Sequence, residues 1–395
     1  MKFPRHKRRK GLFSTLRLLS RSRRTPEVVH FEGNRVSLLL HGGDFFPALF
    51  QAIDSATMAI CAEFYIIKSD DTGNAFAGAL MDAAARGVEV ALIYDAIGCY
   101  DTPSSYFQRL MANGVRCLPF NKPAFSKLHW LDTRDHRKMV LIDGATAFLG
   151  GLNVGDEYAG YGESFQRWRD VGIRLDGPAV GELLRLFRQT WKQEGGEGTS
   201  GQSDSQDLPV YAGDADVMIV NGTPHHTRSV IRSSFRVAMV GAAHSIRIIT
   251  PYFVPGPRVV LSLLRAVTRG VKVQMIVPSI SDAPLVQVMS RAYLAPLLKA
   301  GVEIFERQET ILHSKVMLID DFWVTLGSAN LDFRSFHRNY EINVIIDSSA
   351  FGSQVRRMFD DELEKSRRVA LSEYEQRNRF VRFLEWLLGP LRRFF

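Results

Sequence analysis

Two stretches of sequence decide the fold of this chain: HRKMVLID at positions 136–143 and HSKVMLID at positions 313–320. Each begins with a histidine two residues before a lysine, continues through apolar residues and ends at an aspartate. In an extended strand, residues i and i+2 point to the same face, so the histidine and the lysine of each stretch project together. Each stretch therefore predicts a strand that delivers one imidazole and one ammonium group to the same place.

A turn and a second apolar strand follow each stretch and lead to a Gly-x-x-Asn motif, at 150–153 and at 327–330. The histidines and the asparagines of the two copies are both separated by 177 residues, whereas 84–94 and 267–277 repeat at a separation of 183. The loops between these repeated segments therefore differ in length between the copies, whereas the segment from the histidine to the asparagine has the same length in both. A single His-x-Lys is commonplace, but two copies with the same following interval indicate an internal duplication.

Strands alternate with helices of ten or more residues, which predicts an α/β fold with a largely parallel or mixed sheet in each half. Residues 195–205 contain no apolar residue and predict a flexible linker. The chain is thus divided into a basic arm, a first domain, a linker, a second domain and a tail, over 1–26, 27–192, 193–208, 209–376 and 377–395. Pseudo-twofold symmetry between two such domains would place equivalent residues face to face, with one active site at the interface.

The composition narrows the function. With 395 residues, 46% hydrophobic and 23% charged, the chain can bury the cores of two or three domains. Three cysteines without a CxxC pair exclude a disulfide scaffold and a cysteine-ligated zinc site, and they suit a reducing compartment. No run approaches the 18 consecutive apolar residues of a membrane span.

The net charge of +8 lies in the two ends of the chain. Residues 1–26 hold ten Lys or Arg and no acid, residues 377–395 hold five Arg and one Glu, and residues 27–376 carry a net charge of −6. A nucleic-acid enzyme would more often carry a basic stripe on its folded body. Basic ends on an acidic body favour attraction to anionic lipid.

Two interpretations of the C-terminal tail remain open at this point. Its many Phe, Leu and Trp residues indicate either a helix docked on the protein's own core or an amphipathic segment inserted in a membrane interface. Gly389-Pro390 should break that helix. The N-terminal arm could also be a transit peptide or a solubilising tail, but it lacks the apolar region of a secretory signal.

Two histidines, two lysines and two asparagines in one pocket suit chemistry on a phosphodiester. The lysines and the asparagine amides can hold an anion whose charge develops in the transition state. One histidine can attack phosphorus while the other donates and accepts a proton near neutral pH. No carboxylate cluster or metal-binding spacing is present, and the lysines supply positive charge, so we expect neither a metal nor a cofactor.

A nucleophilic histidine needs its second ring nitrogen fixed, usually by a carboxylate. One candidate lies downstream of each motif, at the head of an apolar strand. We expect Asp170 to hold His136 and Glu341 to hold His313, each within its own half. From the residues alone, Asp143 and Asp320 look like turn and ion-pair residues. Histidines 225, 226, 244 and 337 have no repeat partner and are expected at the surface or at helix ends.

The paired motifs resemble the HKD motifs of the phospholipase D superfamily. The resemblance extends to the bacterial cardiolipin synthases, in particular to their short forms without transmembrane helices, and covers about residues 36–365. It rests also on segments outside the HKD motifs: GDFFP at 43–47, FLGGLN at 148–153, TPYFVP at 250–255 and GSANLDFRS at 327–335.

This resemblance implies a fold of two similar domains and a phosphatidyltransferase that makes cardiolipin from phosphatidylglycerol through a phosphatidyl-histidine, releasing glycerol. It implies that His136 is the nucleophile and His313 the acid/base. The catalytic set that it implies is His136, Lys138, Asp143, His313, Lys315 and Asp320. Asn153, Asn330 and Ser328 would bind substrate.

We expect an anionic phospholipid membrane as the partner, no nucleic acid, and a peripheral location on the cytoplasmic side of the cell membrane. Because this form has no transmembrane helices, the basic arm and the C-terminal tail would provide membrane contact. The alternatives are a hydrolytic phospholipase D or transphosphatidylase, a phosphodiester nuclease and a non-catalytic lipid-binding module. The negative body charge disfavours the nuclease, and the two intact motifs disfavour the non-catalytic module.

Overall fold

The structure is a computed structural model that describes residues 28–122, 132–160, 168–198, 213, 215–224 and 229–376. The basic arm, the C-terminal tail and most of the predicted linker lie outside these residues. Their assignments therefore stay predictions, as do the domain boundaries drawn from them.

The first half alternates strands and helices, as its apolar runs and turn residues predict. Its elements are β1 (Val28–Leu39), α1 (Gly42–Asp54), β2 (Ala59–Phe64), α2 (Asp71–Ala85), β3 (Glu89–Asp95), α3 (Ser104–Ala112), β4 (Arg116–Phe120), β5 (Lys138–Ile142), β6 (Thr146–Gly150), α4 (Asp156–Ala159), β7 (Trp168–Arg169), β8 (Gly172–Asp176) and α5 (Ala179–Gln193).

The second half repeats this order, except that its described residues include no counterpart of β7 and end with an additional strand and helix. Its elements are β9 (Ala215–Gly222), α6 (Val230–Gly241), β10 (Ser245–Ile249), α7 (Pro257–Thr268), β11 (Lys272–Ile280), α8 (Pro284–Ala300), β12 (Glu303–Leu312), β13 (Val316–Ile319), β14 (Trp323–Gly327), α9 (Phe333–His337), β15 (Glu341–Asp347), α10 (Ser349–Glu364), β16 (Ser366–Arg368) and α11 (Leu371–Glu375).

The strand order is the same in both halves. The first runs β4-β3-β2-β5-β6-β8-β1 and the second β12-β11-β10-β13-β14-β15-β9, with β16 beside β12. The three outer strands of each order are parallel and the rest are antiparallel. This match confirms the predicted fold class of two similar α/β halves. The antiparallel pair β1–β9, in which Val28 faces Val220, joins the two sheets into one, which the sequence did not predict.

Three buried clusters stabilise this arrangement. Helices α1–α3 cover one face of the first sheet, and α6–α8 cover the corresponding face of the second. The remaining face of both sheets shares a single core with helices α5 and α10, through side chains such as Phe187 and Phe359. The shared core and the joined sheet fix the two halves against each other, so residues from both can form one rigid site. Within the described ranges, no helix has the length and apolar content needed to cross a membrane.

Candidate active site

The two motif strands bring their histidines and lysines to one edge of the sheet and their aspartates to the opposite edge. His136 lies two residues before Lys138, the first residue of β5, and Asp143 follows the last residue of that strand. Asp143 accepts backbone N–H groups from Thr57, Met58 and Ala59 at 2.8–2.9 Å. These bonds fix the loop that precedes β2.

Asp320 does the same at the far end of β13. It accepts the backbone N–H groups of Ala243, His244 and Ser245 at 2.7–2.9 Å. The catalytic role that the resemblance gives to Asp143 and Asp320 is wrong in this structure, because both hold turns at the edge remote from the histidines. The turn role predicted for them is the one observed, although their partners are backbone amides and not cations.

A short strand pairing across the two halves places each histidine. The His136 N–H donates to the carbonyl of Tyr340 at 2.9 Å, and the Tyr340 N–H donates to the carbonyl of Arg134 at 2.8 Å. In the other half, the His313 N–H donates to the carbonyl of Arg169 at 2.8 Å, beside the parallel pairing of β7 with β12. Each histidine therefore bonds the residue just before a carboxylate of the opposite half: Tyr340 precedes Glu341, and Arg169 precedes Asp170.

The carboxylates consequently cross between the halves. His136 Nδ1 lies 3.0 Å from Glu341 Oε2, and His313 Nδ1 lies 2.6 Å from Asp170 Oδ2. The predicted pairing within each half, Asp170 with His136 and Glu341 with His313, is wrong. The carboxylates themselves were correctly chosen, but the pairing follows from the inter-half backbone bonds, which no sequence spacing reveals.

The contact with Glu341 fixes the tautomer of His136. A carboxylate is only an acceptor, so Nδ1 carries the proton and donates it, and the Nε2 lone pair of the neutral ring is left for chemistry. The Asp170 contact favours the same tautomer for His313, but Lys315 Nζ also lies 2.9 Å from His313 Nδ1 and competes for that nitrogen. Burial and the nearby Lys138 lower the pKa of His136, while Glu341 opposes them. Burial and Lys315 lower the pKa of His313 to about 4 against the opposing effect of Asp170. Both imidazoles are thus neutral in the free site.

The two lysines lie buried beside the histidines. Lys138 Nζ donates to the carbonyl of His136 at 2.7 Å, and Lys315 Nζ donates to the carbonyl of His313. Burial, opposed by Glu341 and assisted by the charge of Lys315, lowers the pKa of Lys138 to about 7. Burial, opposed by Asp170, lowers the pKa of Lys315 to about 8.

These electrostatic effects connect the halves. Lys315 of the second half lowers the pKa of both His136 and Lys138 of the first, and Asp170 of the first half raises that of Lys315. Charges influence one another in this way only when little water separates them. The four motif side chains therefore lie close together where the two halves meet, and the carboxylates of Glu341 and Asp170 balance the two ammonium groups there; we call this region the pocket.

The predicted substrate-binding residues differ in how they are used. Asn153 Oδ1 accepts the N–H of Ile66 at 3.2 Å, and its Nδ2 donates to Tyr158 Oη at 3.0 Å. Asn330 Oδ1, in contrast, has no hydrogen-bond partner within the described ranges. Ser328 Oγ donates to Glu341 Oε2 at 2.5 Å. Ser328 therefore positions the carboxylate that holds His136.

The first half has Gly151 where the second has Ser328, and the reason is steric. A Cβ at Gly151 would lie 2.4 Å from both carboxylate oxygens of Asp170. Only glycine leaves room for Asp170 to reach His313.

Aromatic side chains form walls that the sequence analysis missed. The ring of Tyr65 lies 5.0 Å from that of His136, and Trp168 and Tyr158 lie 5.1 and 5.6 Å from that of His313. Lys138 Nζ lies 5.2 Å from the centre of the Tyr65 ring. Trp168 is two residues before Asp170, which is the one signal in the sequence that could have pointed to it.

A buried polar cluster lies behind His136. Arg137 NH1 lies 3.1 Å from Glu63 Oε1, and its NH2 donates to Asn221 Oδ1 of the second half at 2.7 Å. Its guanidinium carbon also lies 5.3 Å from the centre of the Tyr340 ring. The sequence places Arg137 on the opposite face of the strand from His136. It does not show that Arg137 pairs with Glu63 there and also bonds Asn221 of the other half.

Two of the unrepeated histidines lie where they were expected. His244 is exposed, and His337 ends α9 with Nε2 2.8 Å from Arg232 NH1. Residues 225 and 226 lie outside the described ranges. A possible cluster of metal ligands, His30, Glu32 and Asp216, lies on β1 and β9 at the edge remote from the active site.

The comparisons with known proteins agree with this geometry. The family described as "Cardiolipin synthase, PLD-like domain" matches residues 49–191 and 236–363, one segment in each half. The chain is 34% identical over 366 residues to a cardiolipin synthase of Geobacillus thermodenitrificans, which covers 91% of this chain and 72% of the relative. It is also 34% identical over 373 residues to cardiolipin synthase A of Pseudomonas putida, and this match covers 93% of this chain and 76% of the relative.

Solved structures support the fold. Phosphatidylserine synthase of Haemophilus influenzae matches with a TM-score of 0.70 at 12% identity, over 91% of this chain and 94% of that one. Polyphosphate kinase of Porphyromonas gingivalis matches with a TM-score of 0.59 at 13% identity, over 91% of this chain and 53% of the kinase chain. The sequence relatives confirm the predicted enzyme class, a phosphatidyltransferase of the phospholipase D superfamily. The chain belongs to the cardiolipin synthase family with phospholipase D-like domains.

Proposed function

We propose that this protein moves a phosphatidyl group from one phosphatidylglycerol to the headgroup hydroxyl of a second, making cardiolipin and releasing glycerol. The observation that carries the proposal is the crossed pair of histidine–carboxylate contacts, His136 with Glu341 and His313 with Asp170. They leave two imidazoles with their Nε2 atoms available beside two buried lysines. One ring can serve as nucleophile and the other as acid/base.

In the first step, His136 Nε2 attacks the phosphorus of the donor lipid. A P–N bond forms, the P–O bond to glycerol breaks, and the glycerol oxygen takes a proton from His313. Burial and Lys315 keep His313 neutral in the free site. The negative charge of the bound diester offsets these effects and favours the protonated ring.

In the second step, a headgroup hydroxyl of the second phosphatidylglycerol gives its proton to His313 and attacks the same phosphorus. The P–N bond breaks, cardiolipin leaves, and His136 returns to its neutral form. The Glu341 carboxylate stabilises the positive charge that His136 gains while it is phosphorylated. Assigning the nucleophile to His136 rests on the resemblance to the family.

The phosphate is held by charge and amide groups. Lys138 and Lys315 supply two ammonium groups, and Asn330 and Asn153 border the pocket. Charge-assisted hydrogen bonds in a buried pocket stabilise a pentacoordinate transition state more than they would in water. Because the lysines supply this charge, the mechanism requires no metal.

The test is lipid mass spectrometry of products from purified protein and phosphatidylglycerol vesicles in EDTA. Cardiolipin and free glycerol should appear, and His136→Ala and His313→Ala should each abolish them. His244→Ala is the matched control, since His244 is exposed at the remote edge. Phosphatidic acid as the sole product would indicate a hydrolytic phospholipase D, and cleavage of DNA by residues 27–376 alone would indicate a nuclease.

We also infer a peripheral location on the cytoplasmic face of the cell membrane, with an anionic phospholipid surface as partner. The basic charge in residues 1–26 and 377–395 supports this, since each basic residue near such a surface contributes about 1 kcal/mol. Removing residues 377–395 should reduce sedimentation with phosphatidylglycerol vesicles. Unchanged sedimentation with a lower melting temperature would instead place the tail in the protein's own core.

A further inference from the structure

A carboxylate on the His313 side of the pocket has no role in the chemistry described so far. Asp282 lies in the loop between β11 and α8 and is exposed. The hydroxyl of Tyr252 donates to Asp282 Oδ2 at 2.6 Å. Within the described ranges Asp282 makes no ion pair and no other hydrogen bond, so Oδ1 remains available as an acceptor.

Tyr252 is held beside the second Gly-x-x-Asn motif. Its neighbour Phe253 forms a parallel bridge with Leu331, and the Val254 N–H donates to the Leu331 carbonyl at 2.9 Å. Leu331 directly follows Asn330. The backbone thus fixes Tyr252, and through it Asp282, next to a residue that borders the phosphate pocket.

The charge of Asp282 reaches the catalytic groups. It raises the pKa of His313, of Lys315 and of Tyr158, although burial lowers the first two pKa values overall. Asp282 therefore lies on the side of the pocket where His313 handles the alcohol oxygen.

Among the described residues, the first half has no equivalent pair of a tyrosine and a carboxylate at this place. The bridge between Ile67 and Val154 corresponds to that between Phe253 and Leu331, so Ile66 occupies the place of Tyr252. The acid at the end of β3, Asp95, is already used by Arg134 at 3.3 Å and by backbone N–H groups of its own loop. The pocket is thus asymmetric: a tyrosine hydroxyl orients a carboxylate on the acid/base side, whereas Ile66 at the corresponding place in the first half has no hydroxyl to orient one.

We propose that Asp282, oriented by Tyr252, binds a second hydroxyl of the glycerol headgroup whose reacting oxygen His313 protonates or deprotonates. A carboxylate accepts hydrogen bonds from a polyol and repels phosphate, so it selects the alcohol while the lysines hold the diester. A polar group placed for a substrate hydroxyl disfavours an analogue that lacks it. This inference rests on the proposed function, because it assigns the headgroup specificity of that transfer.

Headgroup exchange tests the assignment with two soluble alcohols. Phosphatidylglycerol vesicles are incubated with deuterated glycerol or with ethanol, and labelled phosphatidylglycerol and phosphatidylethanol are quantified by mass spectrometry. The specificity is the ratio of kcat/KM for glycerol to that for ethanol. We expect Asp282→Asn to lower this ratio about tenfold or more, since ethanol has no second hydroxyl to lose. Tyr252→Phe should lower it less.

Asp101→Asn is the matched control, because Asp101 is exposed on the corresponding loop of the first half, between β3 and α3. It should keep the wild-type ratio. A ratio unchanged by Asp282→Asn, or an equal loss with both alcohols, would overturn the assignment of Asp282 while leaving phosphatidyl transfer intact. Failure of the wild-type protein to transfer to glycerol, ethanol or phosphatidylglycerol would instead overturn the proposed function on which the inference rests.

Discussion

Replacing Glu341 with Gln removes one charge from the pocket and nearly preserves the side-chain shape. Glu341 is fully buried and accepts from His136 at 3.0 Å, from Ser328 at 2.5 Å and from Asn339 at 3.2 Å. The amide oxygen of Gln can still accept from His136 and Ser328, and Asn339 can turn its own amide oxygen toward the new NH2 group. The ring orientation should therefore survive, but the stabilisation of the positive imidazole is lost.

We expect Glu341→Gln to slow formation of the phosphatidyl-enzyme by about 10³, less than the roughly 10⁴ lost in a serine-protease triad when the acid becomes an amide and the histidine takes the wrong tautomer. This corresponds to about 4 kcal/mol at 1.36 kcal/mol per tenfold change. The assay is stopped-flow release of p-nitrophenolate from a p-nitrophenyl phosphatidyl ester. Its leaving group requires no proton from His313, so the burst reports on His136 alone.

Asp170→Asn and Glu303→Gln complete the experiment. Asp170→Asn should leave the burst nearly intact and slow the later turnover, because Asp170 holds His313. Glu303, half-buried at the start of β12 and remote from the histidines, receives the same isosteric change and should keep the wild-type burst. A burst slowed by Asp170→Asn but not by Glu341→Gln would refute the combination of the crossed pairing with His136 as the nucleophile.

Three further predictions follow from the burial and charge of individual groups. The kcat/KM for phosphatidylglycerol should fall as the pH rises through about 7–8, because Lys138 and Lys315 lose their protons there in the free enzyme. A pH–rate profile that stays flat to pH 9 would contradict this. Asp143→Asn should cost about 1–3 kcal/mol of unfolding free energy with little change in kcat, measured by urea denaturation, because it weakens the bonds to the loop before β2. Since these N–H bonds lower the pKa of Asp143, its stabilisation is present at neutral pH and is lost as the pH falls through that lowered pKa, so the wild-type and variant stabilities should converge on strong acidification. Arg137→Met should destabilise by about 3–5 kcal/mol by leaving Glu63 unpaired, and a second change, Glu63→Gln, should recover part of that loss in the same denaturation assay.

The sequence predicted the elements whose signals are local. The apolar runs after His136 and His313, with their turns and glycines, predicted the strands and their repetition, because strand periodicity and turn chemistry act over a few residues. The separation of 177 residues predicted the convergence of the two histidines. The roles of Asp170 and Glu341 as carboxylate partners were also correct.

The features that the sequence did not predict depend on contacts between the halves. Whether Glu341 meets His136 or His313 depends on the backbone bond between His136 and Tyr340, which joins residues more than 200 positions apart. The β1–β9 pairing and the Arg137–Asn221 bond likewise join residues of opposite halves that lie far apart in the sequence. Asp143 and Asp320 entered the catalytic set only through the family resemblance. Strand geometry separates them from the histidines, because a strand of five residues spans about 17 Å.

The central claim is that one pocket, built by both halves, transfers the phosphatidyl group through His136. His313→Ala should react with the p-nitrophenyl phosphatidyl ester but should be slow to pass the group on, so the adduct should accumulate. Intact-mass analysis and peptide mapping should then find one phosphatidyl group per chain, on the peptide that contains His136. A phosphatidyl group on His313 in the converse variant, His136→Ala, with none on His136, would reverse the roles, and the absence of an adduct in both variants would contradict covalent catalysis by this pocket.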